Sequence, residues 1–353
     1  MIRILDFYIA RTLLGTVTLT LSILLGLSAL IKFVEQLRKI GEGEYDMTVA
    51  LLYVLLSLPR DLEQFFPMAT LLGGLIGMGI LASNSELVIM QASGLSRWNI
   101  IGSAMKSCVL MILVVMAVGE FVTPASESRA KELRTEAISG GSVFSSDKVV
   151  WAKDGDNFVS IGQVVSRDLL REVSIYWFDE SLMLKQLTYA DEAIYNGEVW
   201  QLNGVNHTYF AEQNIRQEAI DQNNWESTLT PDKLGVVAVK PEALSIRGLV
   251  DYVRYLENNA QDPSRYELAL WRKIMQPVSV SVMLLMALSF IFGPLRSVTM
   301  GARVIMGVLT GFAFFITNEV FGPLSLVYQL PPALGALLPS FVFVGIAAVL
   351  LRK

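Results

Sequence analysis

The chain has very little of the side-chain chemistry on which catalytic and metal sites depend. Its 353 residues include one cysteine and one histidine. The single Cys108 excludes an intramolecular disulfide, and the single His207 excludes a metal site built from histidines. The G-x-x-x-x-G-K-S/T phosphate loop, the G-x-S-x-G elbow and the H-E-x-x-H zinc helix do not occur. The sequence therefore predicts a protein that is not an enzyme and has no cofactor of its own.

Charge is also scarce. Only 17% of the residues are charged, and 53% are hydrophobic, whereas soluble proteins have about 25% charged residues. The mean hydropathy is +0.48. The net charge of −5 provides no general basic face for nucleic acid. This composition indicates a membrane protein that keeps a substantial water-soluble part.

Six apolar runs predict six transmembrane helices, since a membrane span needs about 20 predominantly apolar residues. We expect the second run to extend upstream through Met47–Leu58, with a kink or break at Pro59 and Pro67. The six runs are Thr12–Ile31, Gln64–Ser85, Ile100–Gly119, Ile274–Leu295, Ala302–Leu324 and Ala333–Leu351.

The middle of the chain has a different texture. Between residues 123 and 262 no segment is long enough to span, and short pieces rich in Val, Ile, Tyr, Phe and Trp alternate with polar turns. The pair Asn196-Gly197 predicts a tight hairpin. We therefore predict an α-helical membrane protein with six transmembrane helices and an inserted all-β, jelly-roll-like periplasmic domain. Residues 1–122 hold the first three helices, 123–262 the β-domain and 263–353 the last three.

The β-domain is predicted to end in a helix. Residues of one apolar face recur with helical spacing within Pro241–Asn259. Ser245 is placed to cap its N-terminus.

The basic residues of the short loops predict the orientation, because such residues are enriched on the cytoplasmic side. Both termini are therefore expected in the cytoplasm and the β-domain outside it. The cluster of basic residues after the first span runs against this trend. The predicted cytoplasmic side has more basic residues and holds Arg3, Arg11, Arg97, Lys106, Arg296, Arg303, Arg352 and Lys353. The other side holds Lys32, Arg38, Lys39 and Arg60.

A short helix is predicted between the second and third spans, over about residues 85–94. Glu86 lies in its first turn, and Gly94 can end it. A loop that only reverses the chain would be short and polar, whereas this one is helical and mostly apolar. We expect it to present Leu87, Met90 and Gln91 to a cytoplasmic partner. The alternative, a helix lying in the lipid interface, is less favoured because the segment is weakly basic.

This segment, SELVIMQASGLSR (Ser85–Arg97), resembles the coupling segment of the lipopolysaccharide-export permeases, the LptF/LptG family. The resemblance extends along nearly the whole chain, and several blocks are more similar to the LptG branch than to the LptF branch. The other blocks are IKFVEQLRKIGEGEYD (Ile31–Asp46), FFPMATLLG (Phe65–Gly73), VVWAKDGDNFV (Val149–Val159), LTPDKLGVVAVKPEALSI (Leu229–Ile246), WRKIMQPVSVSVMLLMALSFIFGPLRS (Trp271–Ser297) and FGPLSLVYQLPPALGALLPS (Phe321–Ser340).

The resemblance implies an inner-membrane permease subunit of an ABC-type exporter that serves outer-membrane biogenesis. Such a subunit extracts lipopolysaccharide from the outer leaflet and passes it to a periplasmic bridge. The implied partners are a homologous permease (LptF), a cytoplasmic ATPase dimer (LptB), which uses ATP and Mg, and a bitopic periplasmic protein (LptC). Glu86 matches the acidic residue of the family's coupling helix, and residues 123–262 match its periplasmic jelly roll.

Two sets of residues are candidates for contact with such a lipid. Acyl chains need an apolar wall, because each CH₂ group contributes about 0.8 kcal/mol to membrane retention. The residues Phe312, Phe315 and Ile316 of the fifth span are candidates for that wall, alongside Phe314. The alternative interpretation is that these residues face bulk lipid or pack between helices.

The basic cluster is the candidate for the phosphates. Lys32, Arg38 and Lys39 lie at the external end of the first span, and Lys32 and Lys39 are seven residues apart, nearly on one helix face. The alternative is local pairing with Glu35.

Other functions remain open at this point. An ATPase-coupled mechanical or signalling scaffold would keep the coupling helix but need no lipid cavity and no external basic cluster. An ion-coupled secondary transporter predicts an inverted repeat and acids near the membrane midplane. Glu319, beside Asn318 near the end of a span, is the acid that stands out there, with an interfacial carboxylate as the bland alternative.

Overall fold

The computed structural model of the chain describes residues 4–139, 149–166, 168–179, 181, 183–211, 214–231, 241–293 and 298–352. The described helices are α1 (Ile4–Leu37), α2 (Met47–Ser83), α3 (Glu86–Ala92), α4 (Arg97–Ala117), α5 (Thr123–Ser139), α6 (Ile246–Asn258), α7 (Ser264–Phe292), α8 (Met300–Val327) and α9 (Pro332–Arg352). The strands are β1 (Val150–Asp154), β2 (Asn157–Ser166), β3 (Leu169–Phe178), β4 (Leu184–Tyr195), β5 (Trp200–Phe210) and β6 (Ile215–Trp225).

Six helical segments of the described chain are long and apolar enough to cross a membrane. They are α1, α2, α4 continued by α5, α7, α8 and α9. Three precede the sheet in the chain and three follow it. The predicted fold class, six spanning helices with an inserted all-β domain, is confirmed.

α2 continues through both of its prolines, so of the kink or break that the sequence predicts the break is wrong. Pro59 and Pro67 both lie inside one continuous helix. Pro67 has no N–H, so the carbonyl of Glu63, four residues earlier, loses its partner within the helix. Gln276 of α7 donates its side-chain Nε2–H to that carbonyl at 3.1 Å. A donor from a neighbouring helix thus replaces the missing backbone bond, as membrane helices require.

The third span continues as a helix beyond its apolar run. A π-helical turn, Val118–Val122, follows α4 and leads directly into α5. The predicted start of the β-domain at residue 123 is therefore corrected, because Thr123–Ser139 is helical and the first strand begins at Val150. α5 is polar but rich in Ala, Glu, Lys and Arg, which favour helix. The fall in hydropathy marks where the apolar surroundings end, while the helix runs on.

The six strands form one antiparallel sheet in the order β1-β2-β3-β4-β5-β6. This order is a meander, without the Greek-key crossover of a complete jelly roll, and it leaves β1 and β6 as the edges of the described sheet. The Asn196-Gly197 pair lies in the predicted hairpin between β4 and β5, but the turn is not type I′, because only Gly197 of the two has a positive φ. Gly197 has a φ of +102°, and the Asn196 side chain accepts hydrogen bonds from the N–H groups of Glu198 and Val199, both at 3.0 Å.

One face of the sheet packs against α6. The Ser245 side chain caps this helix by accepting from the Gly248 N–H at 3.0 Å, as predicted. Tyr252 and Tyr255 join the apolar core beneath the sheet, and burial raises the pKa of both hydroxyls. The fully buried Trp200 donates its indole N–H to a backbone carbonyl at 2.7 Å. The sheet therefore has a fixed inner face and stands on the helix that leads back to the spans.

The helical bundle is centred on α2 and α7, which are the two spans buried most completely. α1 lies close against α2, where Thr16 donates to the carbonyl of Gly73 at 2.8 Å. A Cβ atom at Gly73 would lie 2.5 Å from the backbone of Val17, so the close approach requires glycine. α1 and α8 are the least buried spans. They therefore form the margins of the bundle in the single chain.

The described residues cover only part of the basic set that predicts the orientation. Arg3, Arg296 and Lys353 lie outside them. Which side of the membrane holds the sheet stays a prediction.

Candidate functional site

A layer of charged side chains lies where the apolar part of several spans ends towards the sheet. We call Lys32, Asp61, Glu63 and Lys273 the charged layer. Lys32 of α1 pairs with Asp61 of α2 at 2.6 Å, and Lys273 of α7 pairs with Glu63 of α2 at 3.4 Å. Both pairs join different helices. α2 contributes the acid to each pair, so the layer is organised around this central helix.

Lys32, a predicted phosphate-binding residue, already has a buried partner. Asp61 is only 4% exposed. Its Oδ1 accepts from Lys32 Nζ at 2.6 Å, and its Oδ2 accepts from the Ser28 hydroxyl at 2.7 Å. The sequence suggested Glu35, on the same helix, as an alternative partner, but the partner described is Asp61 on another helix. Asp61 lies between two prolines, in a segment that the sequence predicts to be kinked or broken, so its pairing with Lys32 is not predicted from the sequence.

The other two residues of the basic cluster lie beyond the helix. α1 ends at Leu37, and Arg38 and Lys39 fall in the turn that follows. The expectation that Lys32 and Lys39 share one helix face is therefore wrong. The Lys39 N–H donates to the carbonyl of Gln36 at 2.9 Å, which closes the first part of this turn. Arg38 is exposed and Lys39 is half-buried, so both remain at the sheet end of the bundle.

The second pair of the charged layer fastens the sheet domain to the bundle. Lys273 Nζ donates to the carbonyls of Gly119, in the π-helical turn, at 2.9 Å and of Leu244, just before α6, at 2.7 Å. A neighbouring acid, Glu120, accepts from the Ile246 N–H at 2.8 Å at the start of α6. Burying an ion pair demands such additional hydrogen bonds. Sequence reasoning missed this network because its members lie far apart in the chain.

The predicted apolar wall divides into two groups on α8. Phe312 and Ile316 are exposed on the outer face of the helix, and Phe315 is half-buried. Phe314 is buried instead and makes an edge-to-face contact with Phe343 of α9, with ring centroids 5.1 Å apart. The packing alternative therefore holds for Phe314. The other three residues are available to lipid or to a partner.

The short helix predicted between the second and third spans is α3, at the end of the bundle opposite the sheet. Its orientation differs from the prediction for two residues. Leu87 and Met90 are only 4% and 9% exposed and pack into the bundle core, whereas Val88 and Ile89 are 53% and 65% exposed. Residues three apart lie on one helix face, and here that face is the inner one. The outward surface therefore consists of the residues between them.

The other two predicted coupling residues lie at the rim of this surface. Glu86 accepts a hydrogen bond from the Tyr8 hydroxyl of α1 at 2.7 Å. Asn84 donates to its other oxygen at 3.4 Å. Gln91 is half-buried and lines a cleft of about 110 Å³ with Arg97. We call Glu86, Val88, Ile89 and Gln91 the α3 surface. Tyr8 had no signal in the sequence, because its partner is 78 residues away.

Two further residues singled out in the sequence have ordinary surroundings. Glu319 is exposed near the end of α8. His207 is buried in the sheet, where its Nδ1 lies 2.9 Å from both the Gln186 amide and the Thr188 hydroxyl. Its hydrogen-bonding groups are occupied by neighbouring strands. These contacts give His207 a structural role within the sheet.

Six described helices long and apolar enough to span, an inserted antiparallel sheet and a short helix at the opposite end together define a multi-pass membrane protein. Residues 7–353 match the family described as lipopolysaccharide export system permease LptF/LptG, and the chain belongs to this family. It is 49% identical to the lipopolysaccharide export system permease protein LptG of Escherichia coli (strain K12), covering 99% of this chain and 98% of that protein. It is 47% identical to the LptG of Haemophilus influenzae (strain ATCC 51907 / DSM 11121 / KW20 / Rd), covering 98% of this chain and 97% of that protein.

Proposed function

We propose that the chain is the permease subunit of an ABC-type lipopolysaccharide exporter. In this role it extracts the lipid from the outer leaflet of the inner membrane and passes it to a periplasmic bridge. The observation that carries the proposal is the family match over residues 7–353. Both termini then lie in the cytoplasm and the sheet in the periplasm, so that the α3 surface faces the cytoplasm and the charged layer faces the outer leaflet.

The energy for transport comes from a separate ATPase. The chain has no phosphate loop of its own, so ATP and Mg are bound by a cytoplasmic partner, the LptB dimer. The α3 surface supports this assignment, because Val88 and Ile89 expose apolar area beside the carboxylate of Glu86. Leu87 and Met90 anchor the same helix in the bundle core. A force applied to α3 by the ATPase is therefore transmitted directly to the spans.

The marginal helices α1 and α8 are the surfaces for membrane partners. A single chain leaves their apolar faces uncovered, and they are the least buried of the six spans. We assign these faces to the homologous permease LptF and to the bitopic protein LptC. The space between two such permeases would hold the acyl chains. Phe312, Phe315 and Ile316 would then form part of its wall.

Lys32 of the charged layer, together with Arg38 and Lys39 in the turn that follows α1, is the site for the lipid head group. Its phosphates carry negative charge, and ammonium and guanidinium groups form charge-assisted hydrogen bonds with them. Lys32 stands at the end of the apolar part of α1, where such a head group lies. Arg38 and Lys39 follow within the next turn. From there β1 and β6, the edges of the sheet as far as the described residues show it, are proposed to pair with a further sheet of the bridge.

A pull-down from mild detergent tests the function directly. We expect the tagged chain to recover an ABC ATPase, a homologous six-span protein and lipopolysaccharide, as measured by mass spectrometry of proteins and lipids. Recovery of the ATPase without any lipid would contradict the export function and support an ATPase-coupled mechanical or signalling scaffold. Recovery of neither would reopen the secondary transporter.

A photo-crosslinking amino acid in place of Ile316 tests the lipid wall, and Ile346 of α9 is its matched control. Both isoleucines are 44% exposed in the single chain. We expect lipopolysaccharide crosslinks at position 316 that exceed those at position 346 and that change when ATP is hydrolysed. Equal crosslinking at both positions, insensitive to ATP, would mean that Ile316 only faces bulk lipid.

A further inference from the structure

Asp61 stands out in the charged layer because it is a buried acid at the place where an anionic substrate is proposed to bind. It is 4% exposed and lies inside α2. Ionised carboxylates are costly to bury unless they are paired and hydrogen-bonded. Lys32 and Ser28 of α1 supply both contacts, one on each oxygen, at 2.6 and 2.7 Å. The acid is thus held in a site built for its charge.

Lys32 is only partly used by this pairing. Its side chain is 26% exposed although its Nζ contacts the buried Asp61. An ammonium group has three N–H donors, and Asp61 Oδ1 accepts one of them among the contacts of the described residues. An incoming phosphate can therefore approach Lys32. When it does, two anions share one cation.

We propose that Asp61 is an internal counter-ion that competes with the lipid phosphate for Lys32. The inference rests on the proposed export function and deepens it, because it makes head-group binding an exchange. When the phosphate binds, Lys32 is shared between the phosphate and Asp61. When the lipid leaves, Lys32 is held by the carboxylate alone. Asp61 thereby limits the affinity for the head group, which a transporter must release in every cycle.

The physical reason is repulsion between like charges across a shared cation. A phosphate that contacts Lys32 lies within several ångströms of Asp61, in a region that the surrounding helices shield from water. Unit charges at such distances interact strongly at the effective dielectric constant of a protein. Removing the charge of Asp61 is expected to tighten binding of a phosphorylated lipid on the order of tenfold. An uncharged head group gains nothing from the same change.

The test uses the complete transporter in nanodiscs, with diphosphorylated lipid A and its dephosphorylated form as the two probes. Asp61→Asn removes the charge and keeps the size, while one of the two acceptor oxygens becomes an NH₂ donor. Ser28→Ala is the matched control, since it removes a hydrogen bond to the same carboxylate without changing its charge. We expect Asp61→Asn to bind the diphosphorylated lipid about tenfold more tightly and to release it more slowly on ATP hydrolysis. Ser28→Ala should change neither by more than about twofold.

The double variant Lys32→Ala/Asp61→Asn shows whether Asp61 acts through Lys32. We expect its affinity to equal that of Lys32→Ala, so that the gain from Asp61→Asn disappears. Weaker binding in Asp61→Asn, or an equal gain for the dephosphorylated lipid, would overturn the counter-ion proposal while the phosphate site stands. If Lys32→Ala itself binds both lipids like the wild type, the phosphate role of Lys32 fails, and the exchange at Asp61 fails with it. Thermal unfolding of each variant verifies that the bundle is intact.

Discussion

The two faces of α3 provide a matched pair of substitutions, Leu87→Ala and Ile89→Ala. Leu87 is in the core of the bundle, and replacing a buried leucine by alanine lowers the free energy of unfolding by roughly 2–5 kcal/mol. Ile89 is exposed in the single chain, so its replacement by alanine should hardly change the free energy of unfolding. If docking of the ATPase buries Ile89, its truncation removes about 2 kcal/mol of apolar contact, or roughly 30-fold in affinity. One variant should lose stability, and the other should lose docking.

The single cysteine makes the stability measurement simple. Cys108 is buried in the bundle, so a thiol-reactive dye reports the unfolding of the spans during heating. Docking is measured as the affinity of the purified ATPase for the permease in nanodiscs. We expect Leu87→Ala to lower Tm, and Ile89→Ala to leave Tm unchanged while weakening docking. Leu284→Ala, at another fully buried leucine, is the control that lowers Tm without contact to α3's outer face.

The opposite result would refute the orientation of α3. If Leu87→Ala weakened docking at an unchanged Tm, while Ile89→Ala did not, the predicted outward face of Leu87 and Met90 would be right after all. If neither variant changed docking, the α3 surface would not be the ATPase contact. In that case the coupling role would have to lie elsewhere at this end of the bundle.

Three further predictions concern the charged layer, the rim of α3 and the sheet. Lys273→Met removes the buried partner of Glu63, so the free energy of unfolding should fall by about 3–5 kcal/mol in thermal unfolding. The double variant Lys273→Met/Glu63→Gln should largely recover this loss, and a single variant as stable as the wild type would contradict the network. Tyr8→Phe removes the hydroxyl that donates to Glu86. The rate of ATP-driven lipid release should therefore fall below that of the wild type but stay above that of Glu86→Ala. Equal rates for Tyr8→Phe and the wild type would exclude a role of Tyr8 in positioning Glu86. Gly197→Ala forces a side chain into a positive φ, which costs about 1 kcal/mol; proteolysis at this turn should become faster, and an unchanged rate would argue against the strain.

The features predicted correctly from the sequence are those encoded by neighbouring residues. Apolar runs of sufficient length identified the six spans. The Asn196-Gly197 pair identified the β4–β5 hairpin, and Ser245 identified the start of α6. The short helix α3 was located by its polar start and by Gly94, which has a φ of +94° at its end. Each of these signals lies within one continuous stretch of the chain, so tertiary contacts do not have to be known.

The features predicted wrongly depend on contacts between distant residues. Pro67 does not break α2, because Gln276 of another helix takes over the carbonyl that the proline frees. Leu87 points inwards because the core of the bundle lies on that side of α3, which periodicity alone does not reveal in a helix of seven residues. Asp61 and Lys32 are 29 residues apart, and a hydropathy window treats both as the end of a span. The functional sites are therefore the places where sequence reasoning is least complete.

α1 links the two ends of the molecule, and this gives the coupling a physical route. The helix is continuous from the residue that contacts Glu86 of α3, Tyr8, to the residue that contacts Asp61, Lys32. These 24 residue steps (32 minus 8) span about 36 Å. α2 is continuous over the same distance and carries α3 at its end. If docking of an ATPase shifted α3 against α1, the displacement would reach the Lys32–Asp61 pair through these two continuous helices, and the strength of that pair depends on distance.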